Sequence, residues 1–342
     1  MTGEDTKTLW WNDETNTIMM IDQTKLPDTL EIIEVKTVDR LAEAIKKLEV
    51  RGAPALGVAG AFGVALSAVN CPSDIEFLET VTADAELLRA TRPTAVNLSW
   101  GIHKVLRSME NLPPEMARFL AVTAAKTIAA DDEKCCMLLG HNGAALMPQI
   151  GTVLTHCNAG ALACSTWGTA LGVIRSAHKS GKKVSVISCE TRPLLQGSRL
   201  TAWELHRDGI PVTSVIDSEA AFLMRKGKVD CVIVGADRIT KDAVFNKVGT
   251  YMHAVCAKHH NIPFYVAAPA STFDVDACES DVTIEERNSD EVAAFWGRRT
   301  VPADVPILNY AFDATPLDLV TAIITDEGVF YPQYDFSSLR QK

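Results

Sequence analysis

The chain has 342 residues, room for roughly two domains of ~150 residues each. It is 47% hydrophobic and 22% charged, which excludes the disordered, collagen-like and small disulfide-framed classes. Its 33 Lys and Arg face 43 Asp and Glu, and a net charge of −10 speaks against binding nucleic acid, which rests on neutralising phosphates. A small anionic substrate stays compatible, because a few cations in one cleft outweigh a diffuse negative surface at short range.

The start, Met1-Thr2-Gly3-Glu4-Asp5, is acidic and lacks the basic-then-apolar order of a secretory signal. Residues 8–35 alternate apolar and polar side chains around breaks at Asn12-Asp13-Glu14 and Pro27-Asp28, predicting a small antiparallel sheet. Thr37 reads as an N-cap, and helical spacing then runs through 54–69, 73–90, 95–110 and 114–147. The 17-residue uncharged run 53–69 is near the lower limit for a membrane span. Its Ala and Gly content predicts instead a tightly packed buried helix. The nine cysteines, an odd number with Cys135 and Cys136 adjacent, include no Cys-x-x-Cys pair. They read as free thiols in a reducing compartment, neither a disulfide nor a zinc framework, and a cytoplasmic location is expected.

From Gly151 the rhythm changes. Short β-branched runs at 152–154, 183–187, 211–216, 230–234 and 263–267 alternate with helical segments at 160–180, 197–208, 218–227 and 248–261. Gly181, Gly209 and Gly227 mark helix ends. The predicted fold is α/β: residues 1–150 form an N-terminal small β-sheet plus helix bundle, and 151–342 a Rossmann-like doubly wound parallel sheet. In such sheets the site lies at the carboxyl ends of the strands. Neither Gly-x-Gly-x-x-Gly nor Gly-x-x-x-x-Gly-Lys-Ser/Thr occurs, which argues against NAD and ATP.

The strand ends hold the chemistry-bearing residues. Thr155-His156-Cys157-Asn158-Ala159-Gly160 follows the first strand and puts Cys157 where a helix is expected to open, a place that favours thiolate. The alternative is one more buried small hydrophobe. Asp237, in Gly235-Ala236-Asp237-Arg238-Ile239 after the fourth strand, suits a general acid with a pKa raised by desolvation, or else a cap or an ion pair with Arg238. Glu190 and Arg192 either bind substrate or pair with each other. Asn246-Lys247-Val248-Gly249-Thr250 offers an amide and a cation ahead of a helix, a seat for phosphate, unless Lys247 is a solvated surface residue. Arg51-Gly52-Ala53-Pro54 and Arg92-Pro93-Thr94 each put an Arg ahead of a helix, again suited to an anion. His253, Cys256 and His260 share one helix face but lack the further ligand that a metal site there needs.

Together these motifs resemble the methylthioribose-1-phosphate isomerases, relatives of the regulatory subunits of translation initiation factor 2B. The resemblance continues through Glu190-Thr191-Arg192-Pro193, Gln196-Gly197, Glu285-Glu286-Arg287 and Asn309-Tyr310-Ala311-Phe312-Asp313, covering about residues 8–330. It implies a catalytic pair, Cys157 and Asp237, with substrate and phosphate contacts at Arg51, Gly52, Ala53, Arg92, Gln196, Asn246 and Lys247. It also implies a homodimer without metal or other cofactor, acting in methionine salvage on a sugar phosphate. Two stretches depart from the usual pattern. Between Ile239 and Asn246 the chain is one residue short, and after Gly160 it reads Ala-Leu-Ala-Cys164-Ser165-Thr166-Trp167-Gly168.

The implied chemistry converts an aldose to a ketose. Phosphorylation of the anomeric carbon prevents spontaneous ring opening, so a general acid, assigned to Asp237, must protonate the ring oxygen. Hydrogen then passes from C2 to C1 through an enediol or as a hydride, with Cys157 handling the proton at C2. A ribose-1,5-bisphosphate isomerase of the same family would need a second cationic cluster. A non-catalytic regulatory subunit that senses sugar phosphates would lack Cys157 or Asp237, and both are present.

Overall fold

A computed structural model describes residues 6–93, 95–295 and 297–339; Thr94 of the Arg92-Pro93-Thr94 motif and the first five residues lie outside it. Two compact units emerge. The first comprises the chain up to Met137 together with 159–168, and the second comprises 138–158 and everything from Thr169 onward.

In the first unit, β1 (Leu9–Asn12), β2 (Thr17–Ile21) and β3 (Ile32–Val35) form the expected antiparallel sheet in that order. The Asn12 side-chain oxygen accepts from the Glu14 amide at 3.0 Å and shapes the first turn. Next come α1 (Val38–Lys46), α2 (Ala53–Asn70), α3 (Phe77–Thr91), α4 (Val96–Ser108) and α5 (Pro114–Ala144), the last continuing into the second unit from Leu138. Thr37 caps α1 by accepting from the Arg40 amide at 3.2 Å. The uncharged stretch forms α2, and residues 55–68 of it are buried in the core with Phe62, Leu66, Leu88, Leu98 and Ile102. Its small side chains permit a close crossing with α4. A Cβ on Gly101 would stand 2.0 Å from the Gly57 carbonyl oxygen, so only glycine fits there.

The second unit is built on β4 (Ile150–Thr155), α6 (Ala170–Lys179), β5 (Lys183–Cys189), α7 (Ala202–Arg207), β6 (Val212–Val215), α8 (Ala220–Arg225) and β7 (Cys231–Val234). A hairpin, β8 (Arg238–Thr240) and β9 (Ala243–Lys247), precedes α9 (Thr250–His259) and β10 (Phe264–Ala267). Short elements follow: β11 (Phe273–Asp274), α10 (Asp290–Ala293), β12 (Ala294–Phe295) and β13 (Arg298–Arg299), then β14 (Phe312–Pro316), β15 (Ala322–Thr325) and β16 (Gly328–Phe330). The main sheet has the order β16-β15-β10-β7-β4-β5-β6, parallel except for β16. Strand order reverses at β4, as in a doubly wound Rossmann-like sheet. Its core strands are apolar on both faces because helices cover them, so Val232, Val234, Val266 and Ile323 are buried. A second sheet, β11-β8-β9-β14, carries the hairpin. None of the nine cysteines is in a disulfide.

Two expectations need correction. The division expected at residue 150 falls instead after Met137. The last turns of α5 pack with the parallel sheet, where Asn142 donates to the Thr325 carbonyl at 2.9 Å and Lys182 Nζ to those of Ala144 and Met147. The helix expected from residue 160 begins only at Ala170. Residues 159–168 bond to distant backbone and side chains of the first unit. Thr8 Oγ1 donates to the Ala161 carbonyl at 2.6 Å, Gln23 Nε2 to that of Leu162 at 2.8 Å, and Gly160 pairs with Gly168. Such bonds replace the local ones of a helix.

Candidate active site

Parallel strands β4 and β7 pair Val153 with Cys231 and Leu154 with Val232. Continued past the strand ends, that register sets Cys157 level with Gly235, two residues before Asp237. On the other side, Thr155 pairs with Ser188, so Cys157 is also level with Glu190. Adjacent strands lie ~4.8 Å apart. The two candidate catalytic residues thus leave neighbouring strands at the carboxyl edge, where strand order reverses and doubly wound folds place their ligands.

Cys157 is buried, 7% exposed, and has a left-handed backbone with φ 65°. It does not open a helix, so the dipole argument for its thiolate falls away. Its backbone is pinned from two sides. The Cys157 amide donates to Thr191 Oγ1 at 2.8 Å, and Thr201 Oγ1 donates to the Cys157 carbonyl at 2.7 Å. Asn158 is fixed in turn by donating to Glu204 at 2.8 Å. Glu204 belongs to a buried ion cluster with Arg175 and Asp208. Asp217 accepts the Thr191 and Arg192 amides at 2.8 and 2.7 Å and so holds the loop that holds Cys157.

Asp237 is half-buried, and its amide donates to the Phe245 carbonyl at 2.8 Å, tying it to the hairpin. Arg238 lies 3.7 Å from Asp274. Along β9, Asn246 and Lys247 are both buried, so Lys247 is no solvated surface residue. Its ammonium sits over the Phe312 ring, 5.3 Å from the centroid. Asn246 Nδ2 donates to Thr250 Oγ1 at 2.9 Å. The opening amides of α9 are already engaged, since Gly249 and Tyr251 donate to Asp313 at 2.6 and 3.1 Å. Burial pushes the Asp313 carboxyl up to about 6 against those two donors and Lys247. The helix-terminus part of the expected phosphate seat is therefore occupied by a carboxylate. Gln196 is buried, and its side-chain oxygen has no hydrogen-bond partner among the described residues.

The Arg192 charge still reaches the Glu190 carboxyl, but the guanidinium is bonded elsewhere. The Arg192 guanidinium lies over the Phe295 ring and donates to the Pro193 and Val292 carbonyls. Burial, then the charge of Asp217, raises the Glu190 pKa.

His156 directly precedes Cys157. Its Nε2 donates to the Val248 carbonyl at 2.9 Å, leaving Nδ1 as the acceptor for His253 Nε2 at 3.2 Å. Both rings are buried and held neutral: burial lowers the pKa of each, that of His253 to about 3. Cys189 completes a group whose ligand atoms could hold a metal; the two imidazoles bond to each other, and His253 Nδ1 has no hydrogen-bond partner among the described residues. His253 groups with His156 and Cys189, not with Cys256 and His260 as a trio on its own helix.

In the first unit, Gly52 ends the Arg51-Gly52 approach to α2, with Ala53 as the first helical residue. Gly52 has φ 98°, and a Cβ there would meet Ala163 backbone at 2.5 Å. No side-chain hydrogen bond from Gly52 caps α2, and Arg51 and Gly52 are half-buried at its start. Arg92 ends α3 and its carbonyl accepts from the Ala95 amide at 3.0 Å.

Fold and site together define a doubly wound α/β protein with a thiol and a carboxyl at the switch point of its sheet. Residues 49–332 match the initiation factor 2 subunit family, and the chain belongs to it. It is 51% identical over 335 residues to the methylthioribose-1-phosphate isomerase of Heliobacterium modesticaldum, covering 96% of each chain. The crystal structure of 5-methylthioribose 1-phosphate isomerase from Pyrococcus horikoshii OT3 superposes with a TM-score of 0.91 at 42% identity, over 97% of this chain and 95% of that one. A crystal structure from A. fulgidus described as translation initiation factor eIF-2B, subunit delta, superposes with a TM-score of 0.87 at 52% identity, over 96% of each chain.

Proposed function

We propose that this protein is an isomerase that converts 5-methylthioribose 1-phosphate to 5-methylthioribulose 1-phosphate, a step of methionine salvage. The observation that supports the reading is the β4–β7 register, since Cys157 and Asp237 each follow one of these neighbouring strands at the carboxyl edge of the sheet. The similarity to isomerases over nearly the whole chain supports the substrate.

The reaction needs one proton given and one taken. Asp237 gives its proton to the ring oxygen as the bond from C1 to that oxygen breaks. Hydrogen passes from C2 to C1, the C2 hydroxyl becomes the ketone, and the Cys157 sulfur is the base that takes the proton released at C2. Burial of Cys157 excludes water from that transfer. In the first unit Arg51 and Arg92 are cations suited to phosphate, with Gly52 and Ala53 offering helix-opening amides, and in the second Lys247 is such a cation. Gln196 and Asn246 supply polar contacts to the sugar, and the unpaired Gln196 oxygen is an acceptor for a sugar hydroxyl.

We read the working form as a cytoplasmic homodimer. Tyr251, Met252 and Val255 leave an exposed apolar strip on α9, in keeping with a subunit contact. Light scattering on the eluting protein tests this, and a monomer at micromolar concentration would overturn it.

Turnover of purified protein on 5-methylthioribose 1-phosphate, 5-deoxyribose 1-phosphate and ribose 1,5-bisphosphate tests the function. Preference for the methylthio sugar is the expected result. Preference for the bisphosphate would move the protein to pentose metabolism, and no turnover with tight binding would make it a sensor.

A further inference from the structure

A second group of ligand-type side chains lies entirely in the first unit. Asp132 and Cys136 are one helical turn apart on α5, and Cys164 comes from the 159–168 segment. One carboxylate oxygen and the two Sγ atoms all lie within 4.8 Å of one another. Tetrahedral zinc with two thiolates and a carboxylate needs ligand separations of about 3.5–3.8 Å, so a small inward shift suffices.

We propose that Asp132, Cys136 and Cys164 form a binding site for a thiophilic divalent cation of the zinc or cadmium class, apart from the reaction and stapling α5 to the 159–168 segment. The donor set is chemically apt, since thiolates select soft cations and a carboxylate adds a third anionic ligand. Cys136 and Cys164 are buried, 1% and 0% exposed. Asp132 Oδ2 accepts the Ser165 amide at 2.6 Å, which leaves Oδ1 for the ion and fixes the carboxylate beside it. The Ser165 hydroxyl lies beside the same carboxylate and interacts with it.

The test is a cadmium titration of the reduced, chelator-treated full chain, followed by the thiolate-to-cadmium charge-transfer band in the ultraviolet. One ion per chain is expected, with a thermal midpoint that rises with free cadmium. Cys136→Ser and Cys164→Ser should each weaken binding by about tenfold or more. Cys157→Ser and Cys189→Ser should keep the band. If the first two variants fail to fold, Asp132→Asn, which retains an acceptor for the Ser165 amide, should show the same weakening. A band that survives in Cys164→Ser or Asp132→Asn would overturn the proposal. So would no band at all, or a Cys136–Cys164 disulfide in the mapped native protein, which would make the pair a redox site.

Discussion

The Cys157 amide donates to the hydroxyl of Thr191 at 2.8 Å, and both residues sit in left-handed backbone, with φ 65° and 68°. Neither conformation is favoured by its own side chain. One hydrogen bond joins two unusual turns at the ends of β4 and β5, and Thr191 is in turn fixed through its amide by Asp217. The position of the thiol is therefore set by a neighbouring strand's loop.

Replacing Thr191 by Val keeps the shape and removes the acceptor. A buried amide left unpaired costs about 1–3 kcal/mol, and a small displacement of the thiol costs up to ~100-fold in rate. Thr191→Val should lower kcat by about 10- to 100-fold and change KM little. Steady-state kinetics check this; an unchanged kcat would remove Thr191 from the positioning of Cys157.

Lys247 is buried on β9, so its charge has a purpose other than solubility. Loss of a charged hydrogen bond is worth about 1.5–3 kcal/mol, or roughly 10- to 100-fold. Lys247→Ala should raise KM by that factor. Equal KM values for the two proteins would put the phosphate elsewhere.

Neutral His253 gives the fold an acid sensitivity. Its pKa is about 3 in the folded chain, below the 6.5 of the free side chain, because burial and then His156 disfavour the charge. The unfolded chain takes up the proton first, so this contribution is complete above pH 6.5 and drains away as pH falls toward 3. Urea midpoints measured between pH 7 and 4 should fall, and fall less steeply in His253→Gln. Parallel curves would mean that the ring does not titrate on unfolding.

Gly52 precedes α2 with φ 98° and its backbone against Ala163. A side chain there adds about 1–2 kcal/mol of left-handed strain to a backbone clash. Gly52→Ala should destabilise the protein by more than about 2 kcal/mol in urea unfolding. A loss below 0.5 kcal/mol would contradict this placement of the backbone.

Much of this was legible in the residues. The β-branched runs located β4, β5, β6, β7 and β10, and Gly181, Gly209 and Gly227 do take positive φ at helix ends. Thr37 capped as its position predicts. What stayed hidden depends on partners far along the chain. Residues 160–169 carry a helical pattern, but Thr8 and Gln23 claim their carbonyls. Asp313, distant in sequence, takes the amides that made α9 resemble a phosphate seat. The apolar Ala322–Thr325 run is a readable signal for β15, whereas the β8–β9 hairpin is too short to show a period. In sequence His253 groups only with Cys256 and His260 on its own helix, and folding alone pairs its ring with that of His156.

The central claim is that Cys157 and Asp237 together carry the isomerisation. Turnover of 5-methylthioribose 1-phosphate should be measured for the wild type, Cys157→Ser and Asp237→Asn, with far-UV circular dichroism confirming that each variant is folded. Each substitution should cost at least ~100-fold in kcat. A folded variant that retains wild-type turnover would show that its residue takes no part in the chemistry.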